Sequence, residues 1–179
     1  MKASFDLREL FISNGEPKDL PKKHTLLQQG EISKHAYFVE SGCLRLWYNN
    51  DGNDVSVKFF LPGDIVASLE SFYLEQPSRF GIEAIIPSVV RIATKQTFLT
   101  QFDQSPQFKD YMFSVSVYCM SDYQDLFLSR IMNNPESRYR QLTEQNPRLL
   151  EVVPQHYLAS YLGVTPISLS RIRKKISNR

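Results

Sequence analysis

The sequence predicts an α+β protein in which a small β barrel is followed by one long helix and a basic pair of C-terminal helices. Three observations predict this order. Residues 24–98 consist of short segments rich in Val, Ile, Phe and Tyr, separated by turn signals. Residues 106–132 contain no Gly and no internal Pro, and residues 155–176 carry a basic helical pattern. At 179 residues the chain is long enough for one medium domain and a smaller one.

Composition argues against several classes of protein. No apolar run approaches the length of a membrane span, and the N-terminus is a short amphipathic stretch with Asp6 and Glu9 rather than a signal peptide. Cys43 and Cys119 lie far apart and form no CxxC pattern, so no disulfide framework and no zinc or iron–sulfur site is indicated. A cytoplasmic protein without a cofactor and without membrane contact is therefore expected.

The net charge of +2 is unevenly distributed. Residues 134–179 hold eight Lys and Arg against three Glu, a net charge of +5, so residues 1–133 carry −3. Only the C-terminal part is therefore expected to meet a polyanion.

The barrel follows one or two short helices and a loop that extend to about Lys23. Its expected strands are Thr25–Gln28, Tyr37–Glu40, Cys43–Tyr48, Asp54–Phe60, Phe80–Ala84 and Ser88–Ala93. The Asn-Asp-Gly sequence at residues 50–52 is a strong hairpin signal between two of them. Short, evenly spaced strands with no helices between them indicate a sandwich or barrel rather than a parallel sheet.

The predicted long helix, Pro106 to Met132, carries two apolar stripes. The first is formed by Phe108, Met112, Val115, Cys119, Tyr123 and Leu126. The second is formed by Phe113, Val117, Met120, Phe127 and Ile131. Two stripes need two covering surfaces, which we expect to be the chain's own barrel and the same helix of a second subunit. The alternative is a helix buried within a monomer. A further helix, Glu136 to Glu144, leads to the C-terminal pair.

The C-terminal pair has the pattern of a helix-turn-helix. Gln155 to Leu162 is a short amphipathic helix, and Gly163 follows where a sharp turn needs a positive φ. The second helix starts with Thr165 as its cap and Pro166 at its first position. Its buried stripe is expected to be Leu169, Ile172 and Ile176.

The opposite face of the second helix suits a DNA major groove. Arg171 can reach a guanine edge, Ser170 a base or phosphate, and Ile167 a thymine methyl group. Arg173, Lys174 and Lys175 belong to a positive run that no acid is expected to neutralise, and they are assigned to phosphates. The candidate DNA-binding residues are Thr165, Ile167, Ser168, Ser170, Arg171, Arg173, Lys174 and Lys175. The alternative is a basic helical hairpin that ends the chain with a solvated face.

The stretches SGCLRLWYNNDG, FFLPGDI, SRYRQL and LASYLGVTPISLSRIRKK, in this order, resemble the Crp/Fnr family of bacterial transcription regulators. The barrel pattern GxxxxxxYFVESGCLRL, beginning at Gly30, looks like the cyclic-nucleotide-binding fold. The resemblance implies an effector-sensing barrel of the double-stranded β-helix type over residues 1–105, a dimerisation helix over 106–133 and a winged-type helix-turn-helix DNA-binding domain over 134–179. It also implies a homodimer on double-stranded DNA, with recognition helices about 34 Å apart on a near-palindromic operator, and RNA polymerase as a partner.

The barrel departs from this family at the nucleotide loop. Family members that bind cyclic nucleotides carry Gly-Glu-Leu there and, about ten residues on, Arg followed by Ser or Thr and Ala. The ligand-binding candidates at the matching positions are Ser68, Leu69, Ser78 and Arg79. Ser68 cannot accept from a ribose hydroxyl as strongly as a carboxylate. An effector other than cAMP or cGMP is therefore expected, of unknown identity.

The second helix departs from the family as well. Many members show an Arg-Glu pair at its start and an Arg four residues after the Glu, where this chain has Pro166, Ile167 and Arg171. Base preference should therefore differ at the position that the Glu would read.

The alternatives to DNA binding are a metal-dependent enzyme and a regulatory module that binds a protein partner. A metal-dependent enzyme on a similar barrel needs two His at HxH spacing, whereas His24 and His35 are eleven residues apart, so an enzyme is not expected. The remaining alternative is a ligand-binding regulatory module that acts on a partner protein without binding DNA.

Overall fold

The computed structural model describes residues 5–177, so the first four and last two residues of the predicted domains lie outside the described part. The barrel region contains α1 (Leu7–Asn14), β1 (Pro17–Leu20), β2 (Thr25–Leu27), β3 (His35–Ser41), β4 (Leu44–Asn50), β5 (Asn53–Phe60), β6 (Ile65–Val66), α2 (Leu69–Leu74), β7 (Gly81–Ala84), β8 (Ser88–Thr94) and α3 (Lys95–Gln104). The remaining elements are α4 (Pro106–Met132), α5 (Pro135–Gln145), α6 (Pro147–Val152), α7 (Gln155–Leu162) and α8 (Pro166–Ser177).

The strands form two four-stranded antiparallel sheets, ordered β1-β8-β3-β6 and β2-β7-β4-β5. The core between the sheets includes Leu20, Val39, Leu44, Leu46, Val66, Ile82 and Val90. At the predicted hairpin, Asp51 and Gly52 have φ of 50° and 89°, and Asn49 Oδ1 accepts a 2.7 Å hydrogen bond from the Gly52 amide. The predicted barrel and its six strands are confirmed, whereas β1 and β6 were not predicted because they are too short to show a pattern.

The outer faces of both sheets are also covered, which alternating hydrophobicity does not reveal. The sequence predicts that the barrel interior is lined by some of Phe38, Leu44, Leu46, Val57, Phe59, Ile65, Leu69, Ile82 and Ile85. Leu44, Leu46 and Ile82 are in the core between the sheets. Phe38 and Ile65 pack instead against α1, α3 and α4, and Phe59 and Ile85 pack against the C-terminal helices. Strands with apolar neighbours on both faces carry apolar residues at successive positions, so the sequence does not show which face is which.

Helix α4 has the predicted bounds, with its N-terminus capped by Ser105, whose Oγ accepts a 3.2 Å hydrogen bond from the Phe108 amide. Phe108 is fully buried, and Met112 packs in the same cluster with side chains of the barrel and α3. Val115, Cys119 and Leu126 are partly buried, and Tyr123 is 45% exposed. The second stripe faces solvent, with side chains between 46% and 72% exposed. One stripe is thus covered by the chain itself, and the other is uncovered in the single chain.

The C-terminal region is helical throughout its described part. Asn134 caps α5 through a 2.9 Å hydrogen bond from the Ser137 amide, and α6 was not predicted. Residues 134–177 contain no strand, so the wing expected beside the helix-turn-helix is not among them. The segment between α5 and α7 is the short helix α6, which begins at Pro147.

Among the helices of residues 5–177, none combines the length and the apolar character needed to cross a lipid bilayer.

Candidate nucleic-acid interface

The turn between α7 and α8 has the conformation that the sequence predicts. Gly163 adopts φ 68° and ψ 37°, the left-handed conformation that glycine tolerates at the end of a helix. Its amide donates to Ser160 O at 3.0 Å, and the Val164 amide donates to Ala159 O at 2.9 Å. This pair of hydrogen bonds is the Schellman arrangement, which satisfies two of the last carbonyl groups of α7 and reverses the chain within three residues.

The start of α8 is capped as predicted. Thr165 Oγ1 accepts a 3.1 Å hydrogen bond from the Ser168 amide and lies 3.0 Å from Ser168 Oγ. Leu169 is fully buried, and Ile172 and Ile176 pack partly buried against the same apolar cluster. Because Thr165 Oγ1 binds both the amide and the hydroxyl of Ser168, these two side chains cap the N-terminus of α8.

The face of α8 opposite Leu169 is exposed. Ile167 is 68% exposed, so its side chain is accessible on this face. Four polar side chains on the exposed surface of α8 have no hydrogen-bond or ion-pair partner in residues 5–177, namely Ser170, Arg171, Arg173 and Lys174. The structure therefore groups most of the predicted DNA-binding residues on a free basic face.

Lys175 differs from the other basic residues of α8. Its Nζ lies 2.6 Å from Glu136 Oε2, and Arg140 Nη2 lies 3.1 Å from the other oxygen of that carboxylate. Hydrogen bonds from Lys175 and Arg140 lower the pKa of Glu136. The expectation that no acid neutralises Lys175 therefore needs correction, since an acid on α5 binds it. This ion pair links the second helix of the motif to α5.

Ser160 of α7 joins the motif to the barrel. Its hydroxyl accepts a 2.9 Å hydrogen bond from the Ser56 amide and donates one of 2.9 Å to the Asp54 carbonyl oxygen. Both backbone groups belong to β5, the last strand of its sheet. An edge strand leaves backbone donors and acceptors unpaired, and here one serine side chain satisfies one of each.

Arg45 forms the charged centre of the same contact and is only 2% exposed. Its Nε lies 2.6 Å from Glu83 Oε1, and its Nη2 lies 2.5 Å from Asp54 Oδ2. Nη1 donates to Ser56 Oγ at 3.1 Å, and the guanidinium lies 4.1 Å from the centre of the Tyr157 ring of α7. A buried charge is stable only with such partners, so the network fixes the position of α7 on β4, β5 and β7.

Apolar packing completes this contact. Cys43, Phe59 and Ile85 of the barrel belong to one cluster with Leu158 and Leu162 of α7. Burial raises the pKa of the Cys43 thiol to about 12, so this cysteine acts as a small apolar core residue rather than as a nucleophile.

The residues of this contact were not predicted from the sequence. An arginine within the alternation of LRLWY, with Asp54 and Glu83 on neighbouring strands, is a signal for a buried charge network. Its partner Tyr157 is more than a hundred residues away, and nothing in the sequence relates the two positions.

The predicted ligand-binding residues are only partly brought together. Ser68 and Ser78 are buried with their Oγ atoms 2.8 Å apart, and Ser78 Oγ lies 2.7 Å from the Phe80 carbonyl oxygen. Leu69 is 42% exposed at the start of α2, and Arg79 pairs with Glu70 at the surface at 3.2 Å. The two hydroxyls thus bind each other, and the guanidinium points away from them.

Comparison with known proteins identifies a domain family for the barrel and similar folds for the chain. Residues 17–105 match the cyclic nucleotide-binding domain family, and no curated protein sequence matches the chain. FixK2 from Bradyrhizobium japonicum superposes with a TM-score of 0.80 at 20% identity, over 92% of this chain and 85% of that one.

Two further solved structures are similar over nearly the whole chain. CLP, the c-di-GMP responsive global regulator of Xanthomonas campestris, has a TM-score of 0.73 at 15% identity, over 96% of this chain and 90% of that one. A regulator assigned to the Crp/Fnr family, from Eubacterium rectale, has a TM-score of 0.71 at 14% identity, over 97% and 84%. At these identities the similarity establishes the fold.

Proposed function

Because residues 17–105 belong to the cyclic nucleotide-binding domain family and the whole chain is Crp/Fnr-like in fold, we propose that this protein is a sequence-specific DNA-binding transcription regulator. The observation that carries the proposal is the free basic face of α8. Arg171, Arg173 and Lys174 of this face lack partners within residues 5–177, and their helix is held by the buried Leu169 and by the cap of Thr165.

The side chains of this face divide by reach and chemistry. Arg171 reads a guanine with both arms of its guanidinium, and Ser170 and Ile167 contact the neighbouring base edges. Arg173 and Lys174 bind phosphates, which set the register of the helix but not the sequence it reads. Replacing Ile167 with Glu is expected to shift base preference at one position in a binding-site selection, and unchanged preference would exclude Ile167 from the readout.

The DNA-binding form is proposed to be a homodimer joined through residues 106–133. The support is the second stripe of α4, which is apolar, exposed and free of charged residues between Tyr111 and Ser121. An apolar stripe that faces water on a long helix is covered economically by the same helix of a second copy. Two α8 helices would then occupy successive major grooves about 34 Å apart on a near-palindromic operator.

Control by a small effector other than cAMP, and contact with RNA polymerase, are parts of the same proposal. The positions that bind cyclic nucleotides in the family hold the Ser68–Ser78 pair here, which offers no acceptor as strong as a carboxylate. CLP is described as responsive to c-di-GMP, so another effector has a precedent on this fold.

Selection of random duplex DNA by the purified protein tests the proposal, run with and without cAMP in a chloride buffer near 0.15 M ionic strength. We expect a palindrome whose half-sites are about ten base pairs apart, enriched equally in both conditions. Arg171→Ala should weaken this enrichment and lose base preference at one position of each half-site, and Arg148→Ala, which alters an exposed arginine of α6, should retain both. No enrichment in either condition would favour a module that acts on a protein partner, and enrichment with cAMP alone would contradict the argument from Ser68.

A further inference from the structure

A cavity of about 580 Å³ lies where the barrel, the long helix and the C-terminal helices meet. Its walls come from Val57 and Lys58 of β5, the second half of α4, α5 and the end of α7. This volume is within the range of small-molecule sites in proteins. The cavity is separate from the Ser68–Ser78 loop and from the exposed face of α8.

Two arginines converge at one end of this cavity. Arg130 of α4 donates from Nη2 to the Tyr161 carbonyl oxygen. Arg138 of α5 donates from Nη1 to the Asn133 carbonyl oxygen at 2.5 Å and from Nη2 to the Leu162 carbonyl oxygen at 2.7 Å. A Cβ placed on Gly163 would lie 2.9 Å from Arg130 Nη1 and 3.7 Å from Arg138 Nη2. The two guanidinium groups therefore surround a single point beside the turn of the helix pair.

The positive charge of this pair is not balanced nearby. Within residues 5–177, no carboxylate oxygen lies within 4 Å of either guanidinium. Asp122, on the cavity wall, binds Lys58 at 2.5 Å, and Asp125 lines the cavity without contacting either arginine. The end of α7 contributes only about half an elementary negative charge, against two full positive charges.

Two further observations point to an absent anion. Arg138 Nε is buried and has no hydrogen-bond partner, although a buried donor normally has one. Burial and the charge of Arg138 lower the pKa of Arg130, because two adjacent cations in a partly dry site disfavour each other's charge. An anion between them would relieve both effects, and a guanidinium binds phosphate and carboxylate oxygens with paired hydrogen bonds.

We propose that this cavity binds a small molecule through a phosphate or carboxylate group that lies between Arg130 and Arg138. The rest of the molecule faces Tyr123, Leu126 and Gln141, which offer apolar contact and an amide. A bound molecule would touch α4, α5 and α7 together, so it would stabilise their present arrangement. The site is defined by its own residues and does not depend on the DNA-binding proposal.

Thermal unfolding in chloride buffer of constant ionic strength tests the site, with inorganic phosphate and malonate as separate probes. We expect at least one probe to raise Tm of the full chain along a saturable curve, and isothermal titration calorimetry to find one site per chain. Arg130→Gln and Arg138→Gln should weaken binding at least tenfold. Arg140→Gln alters a neighbouring arginine of α5 that pairs with Glu136, and it should bind as tightly as the wild type.

The control variant also separates the site from a general salt effect. Phosphate stabilises most proteins slightly by exclusion from their surface, and that effect does not saturate and is the same in every variant. Arg138→Lys keeps the positive charge and a donor for Leu162 but loses Nε and the donor to the Asn133 carbonyl oxygen, and it should weaken binding at least threefold. Its Tm without a probe reports any change in the stability of the fold. A response to phosphate alone indicates a phosphoryl ligand, and a response to malonate alone a carboxylate. No saturable response to either probe, or equal responses in Arg138→Lys and the wild type, would overturn the proposal.

Discussion

The loop from Ser68 to Phe80 and the helix α8 differ in whether their polar side chains have hydrogen-bond or ion-pair partners. In the loop, Ser68 and Ser78 bind each other and Arg79 pairs with Glu70. On α8, Ser170, Arg171 and Lys174 have no side-chain partner in the described part of the chain. Side chains that satisfy one another hold a loop in place, whereas unpaired ones on a rigid helix are available to a ligand. The two regions therefore predict very different responses to substitution.

The largest effect is expected at Arg45, the buried charge that holds α7 against the barrel. Arg45→Met leaves the Glu83 and Asp54 carboxylates without their partner, and we expect it to lower the free energy of unfolding by about 3 kcal/mol. Arg79→Met removes an exposed pair of the loop and should change it by no more than about 0.5 kcal/mol. Urea denaturation of both variants measures the difference, and similar losses would contradict the assigned role of Arg45.

The next effect concerns DNA affinity rather than stability. Arg171→Ala should weaken binding to the selected operator by about 1 to 3 kcal/mol and relax specificity at one base pair, because the bidentate contact to a guanine is lost. Arg79→Ala, in the loop, should leave operator affinity unchanged. Fluorescence anisotropy with the selected duplex and its single-base variants measures both. A uniform loss over all sequences would reassign Arg171 to a phosphate.

Substitution of Lys174 and of Lys175 tests whether the ion pair of Lys175 with Glu136 keeps that lysine from contacting a DNA phosphate. Lys174→Gln should weaken all sequences alike and lower the slope of log affinity against log salt by about one, since one phosphate contact is lost. Lys175→Gln should change that slope much less, because Glu136 already binds this ammonium group. A salt titration of each variant gives the slopes, and equal slopes for both would show that the Glu136 pair opens on DNA.

The smallest effect is expected within the loop. Ser68→Ala removes one hydrogen bond from a buried hydroxyl pair and should cost about 1 kcal/mol of stability. It should leave the selected DNA sequence unchanged, with or without cAMP. Denaturation and a repeated selection test the two halves of this prediction, and an altered operator would show that the loop communicates with α8.

The sequence predicted those parts of the fold that local patterns determine. The bounds of α4 follow from an uninterrupted run between Pro106 and Asn133, and the turn at Gly163 follows from its need for a positive φ. The barrel strands were recognisable from their turns. β1 and β6 were not, because segments of four and two residues leave too few positions for an alternation.

The sequence could not predict how the modules contact each other. The Ser160 hydroxyl binds backbone groups of β5 from more than a hundred residues away, and such a contact leaves no mark on the composition of either segment. The same holds for the pair of Glu136 and Lys175, which required the packing of α8 on α5. The sequence did not reveal that Phe38 and Phe59 point away from the barrel interior, because their sheets are covered by apolar side chains on both faces.

The uncovered stripe of α4 has a consequence for gene dosage. If operator binding requires two chains joined along Phe113, Val117 and Phe127, then at copy numbers below the dimer dissociation constant the dimer concentration rises with the square of the total. While the operator is mostly free, doubling expression in that range would raise its occupancy about fourfold. A promoter controlled in this way would therefore respond more than proportionally to the abundance of the protein, even without any effector.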